Sequence, residues 1–95
     1  MANVTIEHRL DEQRFVVEMD GDEAELTYRP VDDGTLEYDH TFVPDAFRGR
    51  GVGARLVKHA LDYARDQGYK VVPTCPFVTE FAERKPEYKK ILTSL

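Results

Sequence analysis

Three glycines fall within five positions of the sequence, at Gly49, Gly51 and Gly53, and Arg48 and Arg50 lie among them. Glycine has no Cβ, so the backbone of such a stretch can approach a ligand closely. The pattern that follows is helical, and the first turn of a helix carries unpaired N–H groups and a partial positive charge. A glycine-rich turn that opens a helix therefore predicts an anion site, most naturally for phosphate.

Two common phosphate loops do not fit this stretch. A Walker A loop requires Gly-Lys-Ser/Thr, which the sequence lacks. A dinucleotide fingerprint matches Gly49, Gly51 and Ala54, but the acid that should follow about 20 residues later is absent, and the chain is too short for a doubly wound domain. A third pattern, R/Q-x-x-G-x-G/A, is satisfied by Arg48, Gly51 and Gly53. The alternative is a glycine-rich turn without a ligand.

The glycine stretch separates a strand pattern from a helix pattern. Residues 36–43 alternate, which predicts a strand with Leu36, Tyr38, His40 and Phe42 on one side. Residues 51–67 carry apolar side chains at helical spacing, which predicts an amphipathic helix. Its apolar positions are Val52, Leu56, Val57, Ala60, Leu61 and Ala64.

The rest of the chain supplies more strands and a second helix. Residues 4–10, 14–19 and 23–29 predict an antiparallel meander, with a tight turn at Asp20-Gly21 and turn residues from Pro30 to Gly34. A fifth strand begins at Tyr69, parallel to the fourth, with Pro73 placing it at an edge or a bulge. A helix follows from Pro76 and a short turn spans 88–92. The fold class is therefore α/β (α+β), with a mixed, mostly antiparallel five-stranded sheet in the order β-β-β-β-α-β-α.

Composition limits the function further. The 95 residues predict one domain, 1–95, without a membrane span or signal peptide, and the single cysteine favours the cytoplasm. Residues 1–45 hold 13 acidic and 3 basic residues, while residues 46–95 hold 5 acidic and 10 basic ones. The acidic total argues against nucleic-acid binding, and the basic half around the glycine stretch suits a polyanionic ligand.

The glycine pattern, placed between a strand and an amphipathic helix, resembles motif A of the GNAT acetyltransferases, and the approach from Phe42 to Phe47 is similar to theirs. His40-Thr41-Phe42-Val43 and Thr74-Cys75-Pro76 resemble the small, minimal members of that superfamily. The resemblance implies an N-acetyltransferase that uses acetyl-CoA, with a single-domain minimal GNAT-like fold. It implies that loop amides hold the pyrophosphate. The cofactor-binding residues would be Phe42, Val43, Arg48, Gly49, Arg50, Gly51, Val52, Gly53 and Ala54.

The same resemblance implies that the pantetheine arm of the cofactor lies where the fourth and fifth strands separate. His40 is then a candidate general base, because imidazole exchanges protons near neutral pH. Cys75, at the end of the fifth strand, could accept the acetyl group, protonate the leaving thiolate, or fill space, and His40 on the neighbouring strand could activate it. Tyr88 resembles the position from which many members supply a tyrosine acid.

Other polar residues receive smaller roles. Glu37 and Asp39 are expected on the face opposite His40, solvated or relaying a proton; His8 is expected to be structural and His59 exposed. Lys85, Lys89 or Lys90 would reach the 3′-phosphate of coenzyme A. No metal is expected.

The partner is an amine, either a small molecule or a protein side chain, with no nucleic acid and no membrane, and the chain is expected to be a monomer or homodimer. The first alternative is a non-catalytic coenzyme A or acyl-CoA binding module. A ligand-free interaction domain is the second.

Overall fold

The computed structural model describes residues 5–47, 49 and 51–94. Its strands are β1 (Glu7–Arg9), β2 (Arg14–Met19), β3 (Asp22–Asp32), β4 (Thr35–Phe42) and β5 (Lys70–Pro73). Its helices are α1 (Val52–Gln67), α2 (Pro76–Glu83) and α3 (Pro86–Lys89), and single 3-10 turns lie at Leu10–Glu12 and Asp45–Phe47. The predicted element order is confirmed, and the short final turn that was expected at 88–92 is the helix α3, which begins earlier, at Pro86.

The five strands form one sheet in sequence order. The first four are antiparallel neighbours, and β5 lies parallel to β4 after the crossover through α1. Pro73 ends β5 at the edge of the sheet, as predicted for a residue that cannot donate to a strand ladder.

Two strands, β1 and β3, differ from the prediction by more than one residue. β1 ends at Arg9 because the chain enters a 3-10 turn at Leu10 and reverses through Gln13, whose φ is 56°. β3 continues through Pro30, which was expected in a turn, and the turn moves to the residues before Thr35. A register shift between Pro30 and Asp32 accommodates a residue that donates no backbone hydrogen bond.

One face of the sheet, called here the helix face, packs against the helices. The apolar stripe of α1, with Leu56, Val57 and Leu61 fully buried, meets this face, and Val78 and Tyr88 bring α2 and α3 into the same cluster. The apolar periodicity of the strands and of α1 explains this packing. An apolar sheet face and an apolar helix stripe are both removed from water when they pack against each other. No described helix is long and apolar enough to span a membrane.

The opposite face, called here the charged face, carries ion pairs between strands. Arg14 contacts Glu23 and Glu25 at 2.9 Å each, and Arg9 contacts Glu23 at 3.3 Å. These pairs are partly exposed, so each contributes little to stability. They offset only a small part of the negative charge in the first half of the chain, where 13 acidic residues face 3 basic ones.

His8 lies between β2, β3 and α1, and its structural role is confirmed. Its ring stacks on Phe15 with centroids 4.0 Å apart and meets Tyr63 edge-on at 4.4 Å. Its Nε2 lies 2.6 Å from the hydroxyl of Tyr28, a residue only 6% exposed. Burial, followed by the charge of exposed His59, lowers the pKa of His8 below its ordinary value of 6.5. The fold therefore favours neutral His8.

Stability should consequently depend on pH through His8. Because the folded protein holds this proton less tightly than the unfolded chain, stability is complete above pH 6.5 and decreases as pH falls below it. Urea unfolding at about pH 7.5 and about pH 5.5 measures the loss, since the lowered pKa values of Glu23 and Glu37 act only below 4.5. In His8→Phe this pH dependence should be largely absent, and the unpaired Tyr28 hydroxyl should cost about 1–3 kcal/mol at neutral pH. An unchanged slope in His8→Phe would contradict this assignment, and His40→Gln is the control that should retain the slope.

The turn into α1 requires glycine at position 51. Gly51 precedes the helix with φ 70°, and a Cβ added there would meet nothing within 4 Å. Gly51→Ala should therefore destabilise the ligand-free protein by about 1 kcal/mol through backbone strain alone. Gly34→Ala is a matched control, because its Cβ would also meet nothing within 4 Å and its φ is not positive. Equal urea midpoints for both variants would show that the left-handed turn is not required.

Candidate functional site

The predicted anion site lies at the start of α1. Among the described residues, the first helical bond runs from the Arg55 N–H to the Gly51 carbonyl at 3.1 Å, so the amides of Val52, Gly53 and Ala54 have no intrahelical partner in that part of the chain. The first turn contains no acidic residue, and Gly51, at the N-cap, provides no side chain to cap it. Arg48 and Arg50 lie outside the described residues. The described backbone is therefore suited to hold an anion.

The second feature is the separation of β4 from β5. Tyr38 and Pro73 form the last pair of the parallel ladder, and the Cys75 N–H donates to the Tyr38 carbonyl at 3.1 Å. Beyond this point residues 39–42 stay beside β3, and no described strand pairs with their other edge. An extended ligand could therefore lie along this edge as an additional strand.

The glycine turn and the strand opening meet at Gly53. A Cβ added to Gly53 would lie 2.8 Å from Cε2 of Phe77 and 3.3 Å from Cγ2 of Val43. Val43 immediately follows β4, and Phe77 lies in the first turn of α2, two residues after Cys75. Glycine thus allows β4, α1 and α2 to converge, and the structure brings together the anion site and the strand opening.

Cys75 lies on the wall of this opening. It is 7% exposed, and its Sγ–H donates to Thr41 Oγ1 at 3.5 Å. Cys75 is the N-cap of α2, and its carbonyl accepts from the backbone N–H and the hydroxyl of Thr79 at 3.1 and 3.2 Å. Its position is therefore defined by contacts to both β4 and α2.

The expected position of His40 is wrong. Tyr38 pairs with Tyr28 but His40 pairs with Thr27, so Asp39 is an extra residue at a β-bulge. Paired residues share a face, and Thr27 and Tyr28 are consecutive, so His40 lies opposite Tyr38 on the charged face. Phe42, which pairs with Glu25, moves to the charged face as well and is 52% exposed.

Because of the bulge, the predicted positions of His40 relative to Glu37, Asp39 and Cys75 are also wrong. Asp39 accepts from the Thr27 hydroxyl at 2.6 Å, so Asp39, like Glu37, is on the same face as His40 rather than on the opposite one. On the helix face it is Thr41, not His40, that contacts Cys75. Direct activation of Cys75 by His40 therefore has no support in this geometry.

Glu37 was expected to be solvated, but it is buried at 6% exposure. Its Oε1 accepts from Arg29 Nε at 2.7 Å, and its Oε2 accepts from the Thr74 hydroxyl. The Thr74 bond, and after it Arg29, keeps the pKa of Glu37 below its ordinary value despite desolvation. The opposite charges of Arg29 and Glu37 across the β3–β4 hairpin could have indicated this ion pair from the sequence. The contact with Thr74 could not be predicted in this way, because Thr74 is distant in sequence.

Tyr88 lies with α1 rather than with β4. It is 1% exposed, and its hydroxyl donates to Asp62 Oδ1 at 2.6 Å. Asp62 is about 15 Å along the helix from Val52 at the standard rise per residue. Burial, and then the bond to Asp62, raises the pKa of Tyr88. The structure does not bring the Tyr88 hydroxyl to Cys75 or His40.

The contacts of two of the three lysines proposed for the 3′-phosphate lie away from the glycine turn, with Lys70 and with Phe81. The Lys90 carbonyl accepts from Lys70 Nζ at 3.2 Å, and Lys70 begins β5, at the end of the strand opposite the opening. Lys89 precedes Lys90 at the end of α3, and Lys85 Nζ lies 5.4 Å from the Phe81 ring centroid. Among described basic residues, Arg55 is the one in the first turn of α1.

Metal chemistry has no candidate site in the part of the chain that the structure describes. No group of three or more His, Cys, Asp or Glu side chains is placed to hold an ion there.

Comparison with known proteins assigns the family. The family described as GCN5-related N-acetyl-transferase matches residues 14–91. Protein NATD1 from Xenopus tropicalis is 34% identical over 87 residues, which cover 90% of this chain and 80% of that protein. Protein NATD1 from Homo sapiens is 34% identical over 85 residues, which cover 87% and 75%.

A solved structure agrees with the sequence comparison. The NMR solution structure of a GCN5-like protein from Staphylococcus aureus matches with a TM-score of 0.76 and 33% identity, covering 100% of this chain and 93% of that one. The glycine turn, the crossover helix and the strand opening described above thus occur in a chain related along nearly its whole length to these proteins. The chain belongs to the GCN5-related N-acetyltransferase family.

Proposed function

We propose that this protein is an N-acetyltransferase that transfers the acetyl group of acetyl-CoA to an amine. The observation that carries the proposal is the convergence at Gly53, where the start of α1 meets the end of β4 and the first turn of α2. This convergence brings a helix start that is suited to an anion close to the free edge of residues 39–42 and to Cys75. Family membership supports the same reading.

The described residues fit acetyl-CoA. The amides of Val52, Gly53 and Ala54 would receive the pyrophosphate, and Arg48 and Arg50 would add positive charge. The free edge of residues 39–42 would hydrogen-bond the amide groups of the pantetheine arm, and half-exposed Phe77 would cover its methylene groups. When bound, acetyl-CoA supplies a thioester carbonyl that a neutral amine can attack.

The two sides of β4 would divide the proton chemistry. His40, on the charged face, would take the proton that the amine nitrogen loses as its bond to the carbonyl carbon forms. Cys75, on the helix face, would return a proton to the sulfur released when the carbon–sulfur bond breaks. Thr41 Oγ1, at 3.5 Å from Cys75 Sγ, would orient the thiol. Tyr88 has no part in this scheme, because its hydroxyl donates to Asp62.

The cofactor site can be tested by a charge placed in the first turn of α1. Ala54 is exposed there, so Ala54→Glu should fold normally and gain up to about 1 kcal/mol from the helix dipole. The same carboxylate should repel the pyrophosphate and weaken coenzyme A binding about tenfold or more, measured by titration calorimetry. Stability and binding therefore change in opposite directions.

Ala54→Gln is the matched control, since it adds similar bulk without charge and should bind coenzyme A nearly as the wild type does. In the wild type, acetyl-CoA at 100 times its dissociation constant should add about 2.7 kcal/mol and raise the unfolding midpoint by about ten degrees, while ATP should have little effect. Equal affinity in Ala54→Glu and wild type would exclude the start of α1 as the pyrophosphate site.

The catalytic roles assigned to His40 and Cys75 are tested by measuring turnover rather than binding. With an amine panel and a thiol-release assay, His40→Gln and Cys75→Ala should each lower kcat by about 100-fold or more, as expected for a general base or acid, and bind coenzyme A normally. His59→Gln is the control, because His59 is an exposed histidine on α1 outside the site.

Full turnover in both variants would overturn the assigned roles of His40 and Cys75. Mass spectrometry of the wild type incubated with acetyl-CoA alone would separate direct transfer from transfer through Cys75, since only the second leaves an acetyl group on the chain. A wild type that binds coenzyme A but acetylates no amine would instead favour a non-catalytic acyl-CoA binding module.

A further inference from the structure

Glu37 is the one charged side chain that is buried among the described residues. It lies on the charged face, where Val16 and Val72 are also buried, at 1% and 8% exposure. The charged face can therefore bury apolar side chains as well as Glu37. Replacing a buried ion pair with apolar residues of similar volume is often neutral or stabilising. Stability alone does not explain a carboxylate at this position.

The contacts of Glu37 join three strands. Arg29 on β3 reaches Oε1 through Nε and Nη2, both at 2.7 Å, and the Thr74 hydroxyl after β5 donates to Oε2. We call these three residues, Glu37, Arg29 and Thr74, the Glu37 clip. Each carboxylate oxygen of Glu37 has its own hydrogen-bond partner, so the clip fixes both the position and the orientation of the carboxylate.

The clip is located where β5 leaves β4. Glu37 pairs with Val72, one residue before the last ladder pair, and the Thr74 N–H turns back to the Val72 carbonyl at 3.1 Å. Thr74 immediately precedes Cys75, whose N–H makes the final link to β4. The Thr74 hydroxyl thus holds the turn that directs the chain out of the sheet and into α2.

We propose that the Glu37 clip sets the width of the opening between β4 and β5, and that Glu37 and Thr74 are positioning residues for the proposed acetyltransferase site. They act through Cys75 and the β4 edge without touching the reacting atoms. The proposal rests on the proposed function for its ligand. Its structural part, the control of the position of Cys75, stands independently of any ligand.

Thr74→Val is the sharpest test, because the variant keeps the shape of an exposed residue and removes only the hydroxyl. Cys75 is the single cysteine, so its alkylation by iodoacetamide reports the position of the thiol without any ligand. Alkylation should become about tenfold faster in Thr74→Val, the change expected for one hydrogen bond to a charged group. Thr74→Ser keeps the hydroxyl and should restore the wild-type rate.

Ligand binding gives the second readout. In NMR titrations, Thr74→Val should bind coenzyme A about tenfold more weakly but bind adenosine 3′-phosphate 5′-diphosphate, which lacks the pantetheine arm, as the wild type does. Glu23→Gln is the matched control, because it removes a partner of Arg9 and Arg14 on the same face, away from the opening. It should change neither alkylation nor binding.

The outcomes separate the two proposals. Unchanged alkylation in Thr74→Val would overturn the clip, and so would an equal weakening for both nucleotides, because that result would indicate a general disturbance. A wild type that binds neither coenzyme A nor its nucleotide fragment would overturn the proposed function, while the alkylation comparison would still decide whether the clip positions Cys75.

Discussion

The structure depends on the contacts of one fully buried residue, Tyr38. Its backbone pairs with Tyr28 on β3 and Pro73 on β5, and its carbonyl accepts from the Cys75 N–H. Its hydroxyl donates to the Ala60 carbonyl of α1 at 2.5 Å, so it also joins the sheet to the crossover helix. Burial strongly raises the pKa of this hydroxyl, which therefore remains a donor. Tyr38 therefore fixes where the ladder between β4 and β5 ends and the opening between these strands begins.

The arrangement of side chains next to the site depends on a β-bulge one residue after Tyr38. The bulge at Asp39 reverses the side-chain pattern, so that His40 and Phe42 leave the helix face while Thr41 enters it beside Cys75. A bulge bends its strand and increases the local twist, which favours the parting of β4 from β5. Gly53 then lets α1 approach this opening closely. One extra residue and one missing Cβ together produce the geometry on which the proposed function rests.

The sequence predicted elements well because each element is determined by local periodicity. Turn chemistry at Asp20-Gly21, where φ is 53° and 85°, and the apolar stripe of α1 are visible within a few residues. The family resemblance predicted the fold for a further reason, namely the spacing of Arg48, Gly51 and Gly53. Period-2 reasoning failed at Asp39 because a bulge depends on how two strands pair, and the partner strand residues, Thr27 and Tyr28, show no local signal. The contacts of Glu37 and Tyr88 could not be predicted for a similar reason, since their partners Thr74 and Asp62 lie 37 and 26 residues away.

The charge distribution gives the two faces of β4 different chemical preferences. Arg9 and Arg14 pair with carboxylates at the β1 side of the charged face, whereas Asp39, next to His40, accepts a hydrogen bond from the neutral Thr27 hydroxyl. The start of α1, in contrast, contains Arg55 and no acidic residue in its first turn. An anionic cofactor and a cationic amine would therefore be attracted to opposite sides of the same strand, which keeps the reactants apart until they meet at the opening.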